Sequence, residues 1–175
     1  MQEKRKIIAH LTGNNVTSND ALAYALFSKS RFGERVGDKI QYSLSEALFL
    51  FEKRKMDILQ NGKKLTSNEL LKKMKRIDKK IQTKYPVFKD LREKGYILKT
   101  ALKFGAEYRV YERGSNIGEQ HAKWILFTVH ESEKLKWHDF TAKNRIAHST
   151  KKNLLLGILD DEGDITYYEV HWKKP

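Results

Sequence analysis

The hydrophobic pattern of this chain changes period once, in the stretch from Tyr85-Pro86 to Gly95. Before it, apolar residues recur at helical spacing, as in Leu44, Leu48 and Phe51, or Leu70, Leu71, Met74, Ile77 and Ile81. After it come short apolar or alternating runs bounded by Gly, Asn and acidic residues, which read as strands. They are Tyr96 to Leu102, Ala106 to Tyr111, Ala122 to His130, Asn153 to Leu159 and Ile165 to Trp172, with one more helix at Lys134 to Ala147. The expected fold class is α+β in two domains. Residues 1–84 read as a basic, mainly helical domain with a small sheet, and residues 85–175 as a mixed β-sheet flanked by helices.

The first half carries three helix-start signals of the Ser/Thr-x-x-acid kind. Thr17-Ser18-Asn19-Asp20 precedes Ala21 to Phe27, Ser43-Leu44-Ser45-Glu46 precedes Ala47 to Lys55, and Thr66-Ser67-Asn68-Glu69 opens a third helix running to Ile81. Asn61-Gly62 marks a turn before that helix. Lys6 to Leu11 and Asp38 to Tyr42 supply the extended pieces for the small sheet. At the start of the second half, Pro86 at a first helical position and Gly95 beyond the end bracket a short helix, Val87 to Lys94.

Composition points to a polyanionic partner. The chain has 35 Lys+Arg against 22 Asp+Glu, a formal charge of +13. The excess is uneven: residues 1–84 hold 19 basic and 9 acidic side chains, residues 85–175 hold 16 and 13. One part can attract phosphates while another does chemistry, although a solubilising surface is Lys-rich for blander reasons. With 39% hydrophobic residues and 8 Tyr, 8 Phe and 3 Trp, the chain is expected to fold rather than serve as a disordered basic tail. The absence of cysteine excludes disulfides, thiolate metal sites and Cys nucleophiles. No apolar run approaches the ~20 residues that span a bilayer, and Met1 to Lys6 is followed by no signal-peptide core. The expected location is the cytoplasm, with no membrane partner.

Three residues of the second half suit phosphodiester chemistry. Tyr111 lies in Tyr111-Glu112-Arg113-Gly114, His121 in Gly118-Glu119-Gln120-His121, and Lys152 in Ala147-His148-Ser149-Thr150-Lys151-Lys152. A phenol, an imidazole and an ammonium can run general acid/base chemistry without a metal if the substrate brings its own nucleophile, as RNA does in its 2′-hydroxyl. Singly, each has a plainer reading: a strand tyrosine, a surface histidine and one lysine among many. Ser149-x-x-Lys152 is also the opening motif of penicillin-recognising enzymes, but the accompanying Ser-Asp-Asn and Lys-Thr-Gly motifs are missing.

Several ordered motifs together resemble the archaeal tRNA-splicing endonucleases. They are Tyr85-Pro86-Val87-Phe88-Lys89-Asp90-Leu91-Arg92-Glu93-Lys94-Gly95-Tyr96, Lys103-Phe104-Gly105-Ala106-Glu107-Tyr108, Tyr111-Glu112-Arg113-Gly114 and Arg145-Ile146-Ala147-His148-Ser149-Thr150-Lys151-Lys152. The resemblance covers nearly all of residues 85–175 and, more weakly, the stretch from Leu44 to Leu71. It implies an endoribonuclease that removes introns from precursor tRNA at bulge-helix-bulge motifs, leaving a 2′,3′-cyclic phosphate and a 5′-hydroxyl. It implies Tyr111 as base, His121 as acid and Lys152 as the cation for the developing charge, with no cofactor and no metal. A phenol works as a base near neutrality only where cations favour its phenolate, and Lys151, Lys152 and Arg113 are candidates. His148 matches the family but has no catalytic step left to perform; a helix-end packing or hydrogen-bonding role is expected.

The resemblance also implies recognition residues. Arg145 stands where the family has an arginine that clamps a flipped-out base, and a guanidinium stacks on any base. Trp172 is a candidate for the other plane of the clamp, its plainer reading being a core or interface aromatic. Asp160, Asp161, Glu162 and Asp164, around Gly163, form a five-residue acidic hairpin loop that lacks the spacing of an EF-hand. In the family such a loop docks into a basic pocket of a neighbouring subunit, which implies a homotetramer; a heterotetramer with a catalytically silent partner is the alternative. The strand Thr166 to Trp172 could pair with its own copy across a two-fold axis. A non-catalytic RNA-binding subunit of the same splicing complex would share fold and charge but is expected to lack part of the trio.

Overall fold

The computed structural model describes residues 5–115, 118 and 120–173. It divides into two compact units, Met1–Gln82 and Thr83–Pro175. Among the described residues no helix is long and apolar enough to cross a membrane.

The first unit corrects the expectation of a mainly helical domain, because most of its elements are strands. β1 (Ile7–Thr12), β2 (Asn15–Ser18), β3 (Glu34–Val36), β4 (Lys39–Tyr42), β5 (Met56–Gln60) and β6 (Lys63–Lys64) form one sheet in the order β3-β4-β2-β1-β5-β6. Only β1 and β5 run parallel. Three helices accompany it: α1 (Ala21–Ser30), α2 (Leu44–Glu52) and α3 (Ser67–Ile77). Alternation buries Ile7, Ala9 and Leu11 of β1 together with Val16, Ile40, Met56 and Ile58.

The short hairpins escaped the sequence reading for a physical reason. Asn61 and Gly62 both have positive φ, 50° and 77°, the conformation of a two-residue hairpin turn. They join β5 to a strand of only two residues, too short to display a period. Ser43 with Glu46 and Thr66 with Glu69 form capping boxes as expected. The third signal differs, because Thr17 and Ser18 belong to β2 and α1 is capped by Asp20, which accepts from the Leu22 amide at 2.9 Å.

The helix α4 (Ile81–Glu93), most of which belongs to the second unit, begins well before Pro86. Pro86 therefore sits inside the helix instead of at its first position, without the N–H that would reach the Gln82 carbonyl, at a cost of about 3 kcal/mol. Burial of Tyr85, Val87, Phe88 and Leu91 offsets it, each contributing roughly 1.5–3 kcal/mol. The strands β7 (Ile97–Ala101), β8 (Ala106–Tyr111), β9 (Trp124–His130), β10 (Asn153–Leu159) and β11 (Ile165–Val170) form a sheet in the order β11-β10-β9-β8-β7. β9 and β10 are parallel and the other pairs antiparallel. The parallel pair needs a crossover, which α5 (Trp137–Ser149) provides.

The two helices cover opposite faces. Ala147 of α5, with Phe140 and Ile146, packs on Ile125, Phe127, Leu154 and Leu156. On the other face Phe88 of α4 meets Tyr108 at 5.5 Å between ring centroids. Val87 lies against Gly157, where a Cβ would come within 2.8 Å of its Cγ1. A glycine at this point of β10 is what lets α4 approach the strand.

Candidate active site

Strand order brings three chain segments to one end of the second sheet. β8 ends there with Tyr111, while the parallel strands β9 and β10 begin there. The Lys123 amide donates to the Val110 carbonyl at 2.9 Å, and the Asn153 amide donates to the Lys123 carbonyl at 3.0 Å. Tyr111, Lys123 and Lys152 therefore stand side by side across three strand ends. At the usual ~4.8 Å between strands, Tyr111 and Lys152 have backbones roughly 10 Å apart. His121 lies in the loop that enters the middle strand, exposed and next to buried Ala122. Glu119 of its motif falls outside the described residues, as do Asn116 and Ile117. Lys123, in the middle of the row, is held by Glu112 at 2.5 Å.

Lys152 owes its position to the way α5 stops. Lys151 adopts a left-handed φ of 56°. The Lys152 amide then donates back to Ala147 at 2.9 Å, and the Lys151 amide to His148 at 3.0 Å. This is a Schellman motif, with a lysine where glycine is favoured. The Lys152 ammonium donates to the Thr150 carbonyl at 2.8 Å. Burial, and then the charge of Arg109, hold it below the ordinary lysine range.

Arg109 is a charged neighbour of Lys152 that sequence reasoning missed. It lies two residues before Tyr111 on β8, so both side chains take the same face. Its Nε donates to the Thr100 carbonyl at 3.2 Å. The period-2 alternation of β8 was the available signal, but a charged residue between buried Tyr108 and Val110 reads as solvent-facing. Arg113, a candidate cation for Tyr111, is stacked over the Tyr96 ring at 5.0 Å.

The recognition candidates fall at two ends of the sheet. β11 ends opposite the start of β10, Val170 pairing with Leu154, so Trp172 emerges at the end that holds Tyr111 and Lys152. Trp172 is 47% exposed, and its ring lies 4.5 Å from that of His148 at an interplanar angle of 31°. His148 thus supports the indole from the last turn of α5. Arg145, also exposed, is three residues earlier on that helix, on the same face as His148.

The acidic loop is at the opposite end, between β10 and β11. Asp160 accepts from the Asp164 amide at 2.7 Å, and the Asp161 amide donates to Glu131 at 2.9 Å. His130 Nε2 lies 3.5 Å from the Asp161 carboxylate. The loop is shaped by its own backbone and by the loop after β9, while Asp161, Glu162 and Asp164 stay exposed.

Comparison with known proteins accounts for most of the chain. Residues 7–71 match the family model for the tRNA intron endonuclease N-terminal domain, and residues 81–167 that for the tRNA intron endonuclease catalytic C-terminal domain. A tRNA-splicing endonuclease of Thermococcus kodakarensis is 40% identical over 169 residues, 96% of this chain and 99% of its own. One from Nanoarchaeum equitans is 43% identical over 151 residues, covering 82% and 97%. One from Methanothermobacter thermautotrophicus is 37% identical over 155 residues, covering 89% and 90%.

Proposed function

The chain belongs to the tRNA intron endonuclease family, and on that footing we propose that it excises introns from precursor tRNA at bulge-helix-bulge motifs as a metal-independent endoribonuclease. The observation that carries the reading is the meeting of β8, β9 and β10 at one sheet end, with a phenol, an imidazole and an ammonium on adjacent segments. Tyr111 takes the proton of the 2′-hydroxyl, whose oxygen attacks the adjacent phosphorus. His121 gives a proton to the departing 5′ oxygen, and Lys152 stabilises the extra charge on the phosphoryl oxygens between those events. The bond from phosphorus to the 5′ oxygen breaks, leaving a 2′,3′-cyclic phosphate and a 5′-hydroxyl.

Choice of the cut depends on assembly in this reading. Arg145 and Trp172 hold an unpaired base near the trio, and Asp160, Asp161, Glu162 and Asp164 dock into a basic pocket of a neighbouring copy. β11 stands at the sheet edge, which supports pairing with its own copy and a homotetramer. Two sites at a fixed separation then measure the helix between two bulges by shape, in the cytoplasm where precursor tRNA is met. The test is a bulge-helix-bulge RNA incubated with the protein in EDTA, with the ends of the products identified. Two cuts with cyclic phosphate ends are expected; cleavage that requires a divalent metal would contradict the mechanism.

A further inference from the structure

Behind the catalytic end, on the α4 face of the second sheet, lies a cavity of about 230 Å³. Leu91, Val110 and Leu155 floor it, and the rings of Tyr96, Trp124 and Tyr167 wall it. Two cations lie over these rings: Arg113 is 5.0 Å from the Tyr96 centroid, and Lys94 5.3 Å from that of Tyr167. Lys123 adds a third, 4.7 Å over Trp124. An aliphatic floor alone would be ordinary core. Ring faces with cations beside them are the surface that stacks nucleobases while attracting their phosphates.

The cavity also has a polar side. The Glu169 carboxylate lines it, and the buried Trp124 indole N–H faces that carboxylate. Burial pushes the Glu169 carboxyl up, but hydrogen bonding from Asn153, the nearby indole and the charges of His171 and Lys123 outweigh it, so Glu169 stays an anionic acceptor. A volume below the ~300–1,000 Å³ of pockets for drug-sized ligands suits one base.

Position ties the cavity to the reaction. Val110 precedes Tyr111 on β8, and strand alternation turns the two side chains to opposite faces. Trp124 follows His121 by three residues, and Leu155 follows Lys152 by three. An RNA strand crossing this end of the sheet can place its cleaved phosphate on one face and a neighbouring base on the other. We propose that the cavity takes a single unpaired nucleobase of the substrate RNA, one or two nucleotides from the cleaved phosphate. The inference rests on the RNA substrate proposed above.

The test couples the cavity to one nucleotide. Bulge-helix-bulge RNAs carrying a single abasic site at each bulge and flanking position are titrated against the unmodified protein, Tyr96→Leu and Glu169→Gln. Loss of the captured base is expected to weaken binding roughly 10-fold. Tyr96→Leu should add nothing on that RNA while weakening every other RNA by a similar factor, a non-additivity that reports direct contact. An equal loss on all RNAs, or none, overturns the proposal. So does a drop in assembly mass by light scattering for Tyr96→Leu, which would assign the cavity to a contact between copies. If Tyr96→Leu does not fold, the nearly isosteric Glu169→Gln is judged by the same criterion. Should the intact RNA bind but remain uncut by the unmodified protein, the nuclease reading fails while the abasic scan still decides the cavity.

Discussion

Lys152 is held below the ordinary lysine range by burial and then by the like charge of Arg109, which stands two strands away in the same sheet. The sign is the reverse of an ion-paired lysine. Folding disfavours the charged form, so the penalty is full below the folded pKa and is relieved as pH rises through it. For catalysis, Lys152 loses its proton earlier on the alkaline side than an unperturbed lysine. Arg109→Gln should move the alkaline limb of kcat/KM to higher pH. A limb that stays in place or moves down would show that Lys152 does not set it. Lys152→Ala is expected to reduce single-turnover cleavage roughly 10²–10³-fold.

Lys151 holds a left-handed conformation, φ 56°, so that Lys152 can bond back to Ala147. A non-glycine residue there is strained by about 1–2 kcal/mol, part of which glycine's greater freedom in the unfolded chain cancels. Lys151→Gly should therefore stabilise the protein by about 0.5–1 kcal/mol in urea denaturation. A loss of stability would mean that the motif does not end α5 as described.

Gly157 and Val87 touch across the sheet and α4. Gly157→Ala should destabilise by about 1–3 kcal/mol, because Val87 is fully buried and stiff at χ1. Adding Val87→Ala should cost less than it does alone, since it vacates the space that the new methyl needs. Strict additivity in the double-mutant cycle would contradict the contact.

The half-buried Glu107 carboxyl is raised by desolvation, against which the Thr128 amide, donating at 3.2 Å, works only in part. The folded state thus holds this proton more tightly than the unfolded chain, and its contribution to stability falls as pH rises from the ordinary carboxylate range through the folded pKa. Glu107→Gln keeps an oxygen for the Thr128 amide. It should leave the urea midpoint at pH 7 unchanged or higher, and flatten its decline above the ordinary carboxylate range. A lower midpoint at pH 7 would mean that the negative charge is needed there.

The acidic loop gives a prediction about assembly that its hydrogen bonds sharpen. Asp160 holds the Asp164 amide and is part of the turn itself, whereas Asp161 and Glu162 are exposed. Reversing Asp161 and Glu162 to Lys tests charge without removing that bond. The mass by light scattering should fall below that of the unmodified assembly; an unchanged mass removes the loop from the interface.

The second unit was legible because its strands are short alternating or continuously apolar runs between glycine, asparagine and acidic brackets, and β8 and β10 begin and end where those runs do. The first unit was not, since Glu34–Val36 is exposed throughout and Lys63–Lys64 is two residues long. Neither displays an alternation to read, while Ser43 and Thr66 advertise helices plainly. Pro86 misled in another way. Proline favours a first helical turn, but the buried residues around it keep it inside α4. For the site, the motifs of Tyr111, His121 and Lys152 were visible in one dimension. The turning of Arg113 onto Tyr96 and the approach of Arg109 depend on packing between strands and loops, which no local pattern encodes.

In the proposed reaction the 2′-hydroxyl of the substrate is the nucleophile, and one substitution in the RNA tests it. A bulge-helix-bulge RNA with a 2′-deoxynucleotide on the 5′ side of one cleavage site should bind as tightly as the parent RNA. It should remain uncut at that site while the other site is still cleaved. Cleavage at the deoxy position at a comparable rate would contradict the roles proposed for Tyr111, His121 and Lys152.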